Sequence, residues 1–292
     1  MKKIVSLVLV AVLCCLTLAA CTPAETKSEY TLAIAVDTAA TDAGKVTNTA
    51  IALVLDKDGK IADVRFDCAD ATLAVAEGAV VAVESVVTKV EKGDAYEGMA
   101  AGSWEKQTKA FEDAIIGKTA AEVADLDATL ISGCTMKSTV PTFKALVAKA
   151  AAGAKVSFEA GAEINLGLAI SEKIGANGKV SADYAATVVE DGKVIACVID
   201  SNEVAYTVNE DGTLTAGQYK GTKTEQGDSY VMPAGNWAKQ AAAFTGAIIG
   251  KNAEELEAFE PVSDALAEAG CTMQNTTAGY KATIIKAVGY AK

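Results

Sequence analysis

The chain has 292 residues, of which 51% are apolar and 22% are charged, a composition typical of globular domains and not of disordered chains. Its formal net charge of -12 disfavours nucleic acids and anionic lipid headgroups as partners. The sequence contains no histidine, which excludes Ser-His-Asp and Cys-His nucleophiles, His-ligated haem and the common His-containing zinc sites.

The first residues are typical of a secretion signal. Lys2 and Lys3 precede an apolar run over residues 4–20, and a polar segment follows it. An uncleaved membrane anchor is the alternative, because about 17 apolar residues approach the length that spans a bilayer.

Leu-Ala-Ala-Cys at residues 18–21 resembles a bacterial lipobox, whose cysteine is diacylated and becomes the first residue of the mature protein. The resemblance implies a cleaved signal peptide over residues 1–20, a lipid on Cys21 and a lipidated tether over residues 21–29. The chain would then be anchored to the extracytoplasmic face of the cell membrane.

Self-similarity divides the remaining sequence in two. Residues 101–118 and 234–251 agree at 12 of 18 positions, and the offset between the copies is 133 or 134 residues through most of the repeat. A unit of about 120 residues is long enough to bury its own core. We therefore expect two tandem homologous domains, at residues 30–152 and 163–292, joined by a Gly/Ala-rich linker over residues 153–162.

Each copy opens with segments typical of β-strands. Residues 32–36 are apolar, and residues 49–55 and 61–66 flank an Asp-Gly turn, which favours a hairpin because Asp-Gly tolerates the positive φ that tight turns need. Residues 71–91 also have an extended pattern. The second copy repeats these features at residues 166–170, around the turn 190–193, and over residues 203–224.

After these strand segments, the spacing of apolar residues in each copy changes to that of an amphipathic helix. One face of the predicted helix carries Trp104, Thr108, Phe111 and Ile115 in the first copy, and Trp237, Ala241, Phe244 and Ile248 in the second. Gly117 and Gly250 are expected to end these helices, and Thr119 and Asn252 to open a second, short helix with a capping box. Amphipathic helices over residues 143–150 and 280–288 close the copies. Strands followed by helices predict the α+β class, with an antiparallel sheet packed against helices in each domain.

Four cysteines remain if Cys14 and Cys15 leave with the signal peptide and Cys21 carries lipid. Each copy has two of them, Cys68 with Cys134 and Cys197 with Cys271, which permits one disulfide per copy in an oxidising exterior. For Cys68 and Cys197 we expect buried, unpaired side chains, because both lie on the apolar side of alternating strand patterns.

Gly-Cys-Thr-Met occurs twice, at residues 133–136 and 270–273, each time before a closing helix. Glycine lets the backbone approach a phosphate, a hydroxyl can contact it, and a helix N-terminus favours negative charge. This pattern predicts phosphate contacts by Ser132, Gly133, Thr135, Gly270 and Thr272. The alternative is a helix-entry turn with buried Cys and Met and with a helix cap supplied by Ser138, Thr139, Thr276 or Thr277.

The motif and the helix after it resemble the closing segment of FMN-binding domains, in which Ser-Gly-Ala-Thr precedes a helix and a flavin transferase can esterify the threonine to FMN. The Asp-Gly-Lys hairpins at residues 58–60 and 191–193 resemble the early strands of the same family. Such domains occur in subunits of sodium-pumping quinone reductases and in lipid-anchored flavoproteins of extracellular electron transfer. The resemblance implies FMN as the cofactor, membrane redox proteins as partners, and an electron carrier in place of a stand-alone enzyme.

Both motifs depart from the family's pattern. Cys134 and Cys271 replace its alanine, Ala269 replaces the serine in the second copy, and Thr129 and Leu266 stand where an acidic residue is expected. These departures argue against covalent attachment, since the transferase reads this local pattern.

A second hypothesis is a cofactor-free, lipid-anchored binding or surface-interaction protein on the same fold, with its cleft lined by the paired Trp and Tyr positions. As members of an apolar helical stripe, however, Trp104 and Trp237 are expected in the core. A hydrolase is disfavoured, because there is no histidine and no spacing isolates a carboxylate pair or a Ser-Lys system.

Overall fold

The computed structural model describes residues 27–96, 99, 101–161, 163–232 and 235–291. The predicted signal peptide and lipidated Cys21 lie outside these residues. The described chain is mixed α+β, with antiparallel sheets and several helices, as its alternation of strand and helix periods predicts. No helix within it is long and apolar enough to span a membrane. We call residues 27–161 the N-terminal half and residues 163–291 the C-terminal half.

The N-terminal half forms a five-stranded antiparallel sheet in the order β4-β3-β2-β1-β5. Its strands are β1 (Ser28–Ala40), β2 (Lys45–Asp56), β3 (Ile61–Ala76), β4 (Ala79–Ala82) and β5 (Val156–Ala160). The predicted hairpin joins β2 to β3, and Gly59 adopts the positive φ of 74° that its turn requires. Strand β5 lies inside the segment predicted as a linker and pairs with β1.

Four helices accompany this sheet: α1 (Lys89–Lys92), α2 (Trp104–Ile115), α3 (Ala120–Asp125) and α4 (Val140–Ala152). The predicted capping box opens α3, where Thr119 and Glu122 bond each other's backbone amides. Residues 71–91 are extended only in part, because a second capping box between Thr88 and Glu91 starts α1.

The C-terminal half repeats this order of elements. Its main sheet has the order β6-β7-β8-β9, with β6 (Asn165–Ile174), β7 (Lys179–Glu190), β8 (Lys193–Val208) and β9 (Leu214–Ala216), and a separate small sheet pairs β10 (Val231–Met232) with β11 (Gly235–Asn236). Its helices are α5 (Lys223–Gln226), α6 (Trp237–Gly246), α7 (Ala253–Ala258), α8 (Asp264–Glu268) and α9 (Thr277–Tyr290).

Both faces of the two main sheets are buried. In β2, Ile51 and Leu53 face the helices of their own half, whereas Ala50, Ala52 and Val54 pack against the C-terminal half, as the two-residue period of a strand dictates. Each outer core contains its tryptophan, since Trp104 is 2% and Trp237 1% exposed. The expectation that these tryptophans are core residues is confirmed.

Candidate functional site

The two Gly-Cys-Thr-Met turns have the same hydrogen-bond geometry. The amide and the hydroxyl of Thr135 both donate to Gln107 Oε1, each at 2.8 Å. The amide and hydroxyl of Thr272 donate to Gln240 Oε1 at 2.9 and 3.0 Å. Both glutamines are fully buried and occupy equivalent positions on α2 and α6. A buried amide oxygen therefore holds each threonine, while the threonine residue as a whole remains exposed.

The glycines and the apolar residues of the motif have structural roles in both turns. Gly133 and Gly270 have φ values of 83° and 99°, which L-residues rarely adopt. The Cys and Met side chains point into the outer cores, with exposures of 3–8% for Cys134, Met136, Cys271 and Met273. Ser132 is exposed beside the first turn. These observations agree with a packed helix-entry turn that presents its threonine at the surface.

The helices that follow the turns have no side-chain cap. Neither Thr139 before α4 nor Thr276 before α9 accepts a capping hydrogen bond, and the Thr277 hydroxyl donates to the Gln274 carbonyl instead. Pro141 lies in the first turn of α4, whereas α9 has Ala278 at the equivalent position. Because proline lacks an amide N–H, the first turn of α9 has one more donor for an anion than that of α4.

A lysine packs beside aromatic rings at equivalent places in both halves. Lys89 Nζ lies 5.5 Å from the ring centre of Tyr96, and Lys223 Nζ lies 5.3 Å from that of Tyr230. Each ammonium faces an acid at the same position of its sheet, Asp70 at 3.2 Å and Glu203 at 3.9 Å. The repeated Thr-Lys-x-Glu at residues 88–91 and 222–225 is the sequence signal that could have located this feature.

A cleft of about 520 Å³ lies between the halves, at the edge of β3 that β2 does not cover. We call it the β3–α2 cleft. Its lining includes the acids Asp67 and Glu112, and Thr108. Its apolar walls come from Phe66 and, in the C-terminal half, from Leu168 and Tyr290. Its volume falls within the range of small-molecule sites. Neither predicted tryptophan lines it.

Asp67 and Glu112 both accept hydrogen bonds from backbone amides on the edge of β3 that β2 does not cover. Glu112 Oε1 accepts from the Phe66 amide at 2.8 Å, and Asp67 Oδ1 accepts from the amides of Cys68 at 2.7 Å and Val90 at 3.1 Å. Burial raises the pKa of Glu112 to about 7 and that of Asp67 to about 6, although these hydrogen bonds act in the opposite direction. Carboxyl groups thus satisfy the edge amides while keeping raised pKa values.

The sequence did not reveal this acidic pair. Asp67 and Glu112 lie on different elements, and only packing of α2 along β3 brings them into one cleft. The signal available was the difference between the repeats: α2 has Glu105, Thr108, Lys109 and Glu112 where α6 has Ala238, Ala241, Ala242 and Thr245.

The protein belongs to the mixed α+β class. Its two main antiparallel sheets pack face to face, and helices cover their outer sides. Comparisons of the chain with protein-family models, with curated proteins and with solved structures give no match.

Proposed function

We propose that this chain is an exported, lipid-anchored flavoprotein that carries electrons at the extracytoplasmic face of the cell membrane. In this proposal the two halves are tandem FMN-binding-like domains, and each binds FMN at its Gly-Cys-Thr-Met turn. Membrane redox proteins would be its electron-transfer partners. The proposal rests on the resemblance of the motifs and on one structural observation, the identical placement of Thr135 and Thr272.

That placement supports the proposal because it leaves an exposed threonine, held by a buried glutamine, in the turn that leads into an uncapped helix. The residues fit the phosphate end of FMN in part: a positive-φ glycine permits close approach at both turns, and the start of α9 favours an anion. The start of α4 offers fewer donors, because the Val140 amide donates to the Met136 carbonyl and Pro141 has no N–H. Gln107 and Gln240 would orient the threonines.

Covalent attachment is compatible with this geometry, although the sequence argues against it. Esterification removes the threonine hydroxyl proton, so the glutamine Oε1 loses one of its two donors and keeps the backbone amide. When bound, FMN supplies the redox chemistry, while the protein supplies binding and orientation.

The test is expression of the full-length chain with and without a flavin transferase, followed by absorption spectroscopy and intact-mass analysis. We expect flavin absorption bands that weaken in Thr135→Ala and in Thr272→Ala and disappear in the double variant. Thr139→Ala is the matched control, because Thr139 is a neighbouring hydroxyl that makes no capping bond. Colourless protein of unmodified mass under both conditions, together with no change of melting temperature in added FMN, would overturn the proposal.

The lipid anchor has its own test. Intact mass of the wild-type chain should correspond to residues 21–292 plus lipid, and Cys21→Ala should abolish both the lipid mass and the cleavage before residue 21. A wild-type chain that retains residues 1–20 and carries no lipid would instead favour the uncleaved N-terminal anchor.

The second candidate function is ligand binding without a cofactor by a lipid-anchored protein. Two observations favour it: the protein itself satisfies both threonine hydroxyls, and the β3–α2 cleft is lined by both halves. A melting temperature that FMN leaves unchanged would favour this candidate over the flavoprotein.

A further inference from the structure

We propose that the β3–α2 cleft binds a small organic cation, a primary ammonium or an amidinium on an aromatic or apolar body. This site is separate from the two Gly-Cys-Thr-Met turns and does not depend on flavin.

Two residues that line the cleft each carry a buried side-chain oxygen that the described chain leaves without a partner. Asp67 and Thr108 are each 2% exposed, and neither Asp67 Oδ2 nor Thr108 Oγ1 has a hydrogen-bond partner within the described residues. The Thr88 hydroxyl lies beside the Asp67 carboxyl and lowers its pKa, without hydrogen-bond geometry to Oδ2. Buried polar atoms are normally paired, so these two atoms call for a ligand or water that donates hydrogen bonds.

The cations around the cleft are already engaged. Arg65 pairs with Asp63 at 2.6 Å and Lys106 with Asp94 at 2.7 Å, and Lys109 pairs with Asp113 one helical turn along α2. Three acids also line the cleft, Asp67, Glu105 and Glu112, and these ion pairs engage Asp63, Asp94 and Asp113 instead. Lys286 of the C-terminal half, which pairs with Glu91, lowers the pKa of Asp67. Such a site favours a positively charged guest over an anion.

The C-terminal half shows that the fold does not require these polar groups. At positions equivalent to Arg65, Thr108 and Glu112, it carries Val198, Ala241 and Thr245. Only the residue equivalent to Asp67 is retained, as Asp200, whose Oδ1 accepts from the amides of Ser201 and Thr224 in the same manner. Burying the Thr108 hydroxyl and the Glu112 carboxyl costs free energy that an alanine and a threonine avoid. The amide of Phe66 occupies one oxygen of Glu112, whereas the Thr108 hydroxyl has no partner in the described chain.

The walls of the cleft indicate that the remainder of the ligand is apolar. Phe66, Val90, Leu168 and the ring of Tyr290 supply apolar contact from both halves. An arylalkyl amine fits this combination, with its ammonium group toward Asp67, Thr108 and Glu112 and its aromatic ring between the halves. A guest bound in this way would also link the two halves.

The experiment is isothermal titration calorimetry of the full-length chain with three probes that share a phenyl body: 2-phenylethylamine, 2-phenylethanol and 3-phenylpropionate. We expect the amine to bind at least tenfold more tightly than the alcohol and the carboxylate to give no detectable heat. Asp67→Asn and the double change Thr108→Ala plus Glu112→Thr should each weaken amine binding at least tenfold. The double change copies residues with which the other half already folds.

Asp200→Asn is the matched control, because Asp200 is also buried and accepts the two equivalent amide hydrogen bonds but does not line the cleft. It should change amine affinity by less than twofold. The proposal is overturned if the amine does not bind at millimolar concentration, if the three probes bind alike, or if Asp200→Asn weakens binding as much as Asp67→Asn does.

Discussion

Lys149 of α4 and Glu225 of α5 form an ion pair between the two halves, with 2.5 Å between Nζ and Oε1, and Lys286 of α9 forms the equivalent pair with Glu91 of α1 at 2.8 Å. Each lysine also donates to a strand carbonyl of its own half, Lys149 to Val36 and Lys286 to Ile170. Such reciprocity is the pattern of a two-fold contact, in which one surface is used twice.

The Lys286–Glu91 pair is the better protected of the two, since both side chains are only 25% exposed. We predict a coupling energy of about 0.5–1 kcal/mol in a double-mutant cycle of Lys286→Met and Glu91→Gln, measured by urea unfolding. A cycle of Lys286→Met with Glu225→Gln should give no coupling, because these two residues belong to different pairs. Equal coupling in both cycles would contradict the assigned pairing.

Gln107 should contribute more to stability than Gln240. Both accept from a threonine amide and hydroxyl, but Gln107 Nε2 also donates to the Gly102 carbonyl at 3.2 Å, whereas Gln240 Nε2 has no partner in the described chain. We expect Gln107→Leu to lower the free energy of unfolding by about 2 kcal/mol and Gln240→Leu by less. Guanidinium unfolding checks this, with Thr135→Val as the control that removes the hydroxyl and keeps the amide. If Gln107→Leu left the free energy of unfolding unchanged, the turn would not need the hydrogen bonds to Gln107.

Local chemistry made much of the fold predictable. The Asp-Gly hairpins, the alternation around Cys68 on β3 and the capping box of Thr119 involve residues within a few positions of each other, so the sequence displays them directly. The start of α1 was missed because the apolar residues after position 71 outweighed the capping signal of Thr88 and Glu91.

Long-range pairing was not predictable in the same way. Strand β5 exists because Val156–Ala160 pairs with β1, far away along the chain, and its own Gly/Ala-rich surroundings resemble a linker. The sequence drew attention to the motif threonines as candidates, but not to the glutamines that hold them, since a buried glutamine on an amphipathic helix has no distinctive pattern.

The cysteines should be unreactive in the native protein. Cys68, Cys134, Cys197 and Cys271 are unpaired and 1–8% exposed, and burial raises the pKa of Cys68 to about 11. We predict no alkylation by iodoacetamide at pH 8 before unfolding, and four alkylated thiols by mass spectrometry after unfolding without a reductant. Fewer than four would reveal a disulfide, and more than four would mean that the signal cysteines or Cys21 remain unmodified.

Glu172 should make the packing of the halves sensitive to pH. Its Oε2 accepts from Asn48 Nδ2 at 3.0 Å across the sheets, and its Oε1 has no partner within the described residues. Burial raises the pKa of Glu172 to about 7 from its ordinary value of 4.5. The folded state therefore binds more protons than the unfolded state between these two values, so the free energy of unfolding falls as pH rises through this window.

Glu172→Gln removes this penalty, because the amide stays neutral and its oxygen can still accept from Asn48. One pKa unit corresponds to about 1.4 kcal/mol, so we expect the variant to be more stable than wild type by up to about 3 kcal/mol at pH 8. The difference should shrink toward zero at pH 4.5, where Glu172 is protonated in the folded state. Urea unfolding at the two pH values measures it, with the exposed Glu163→Gln as control. A gain that is equal at both pH values would assign the effect to packing and not to the proton.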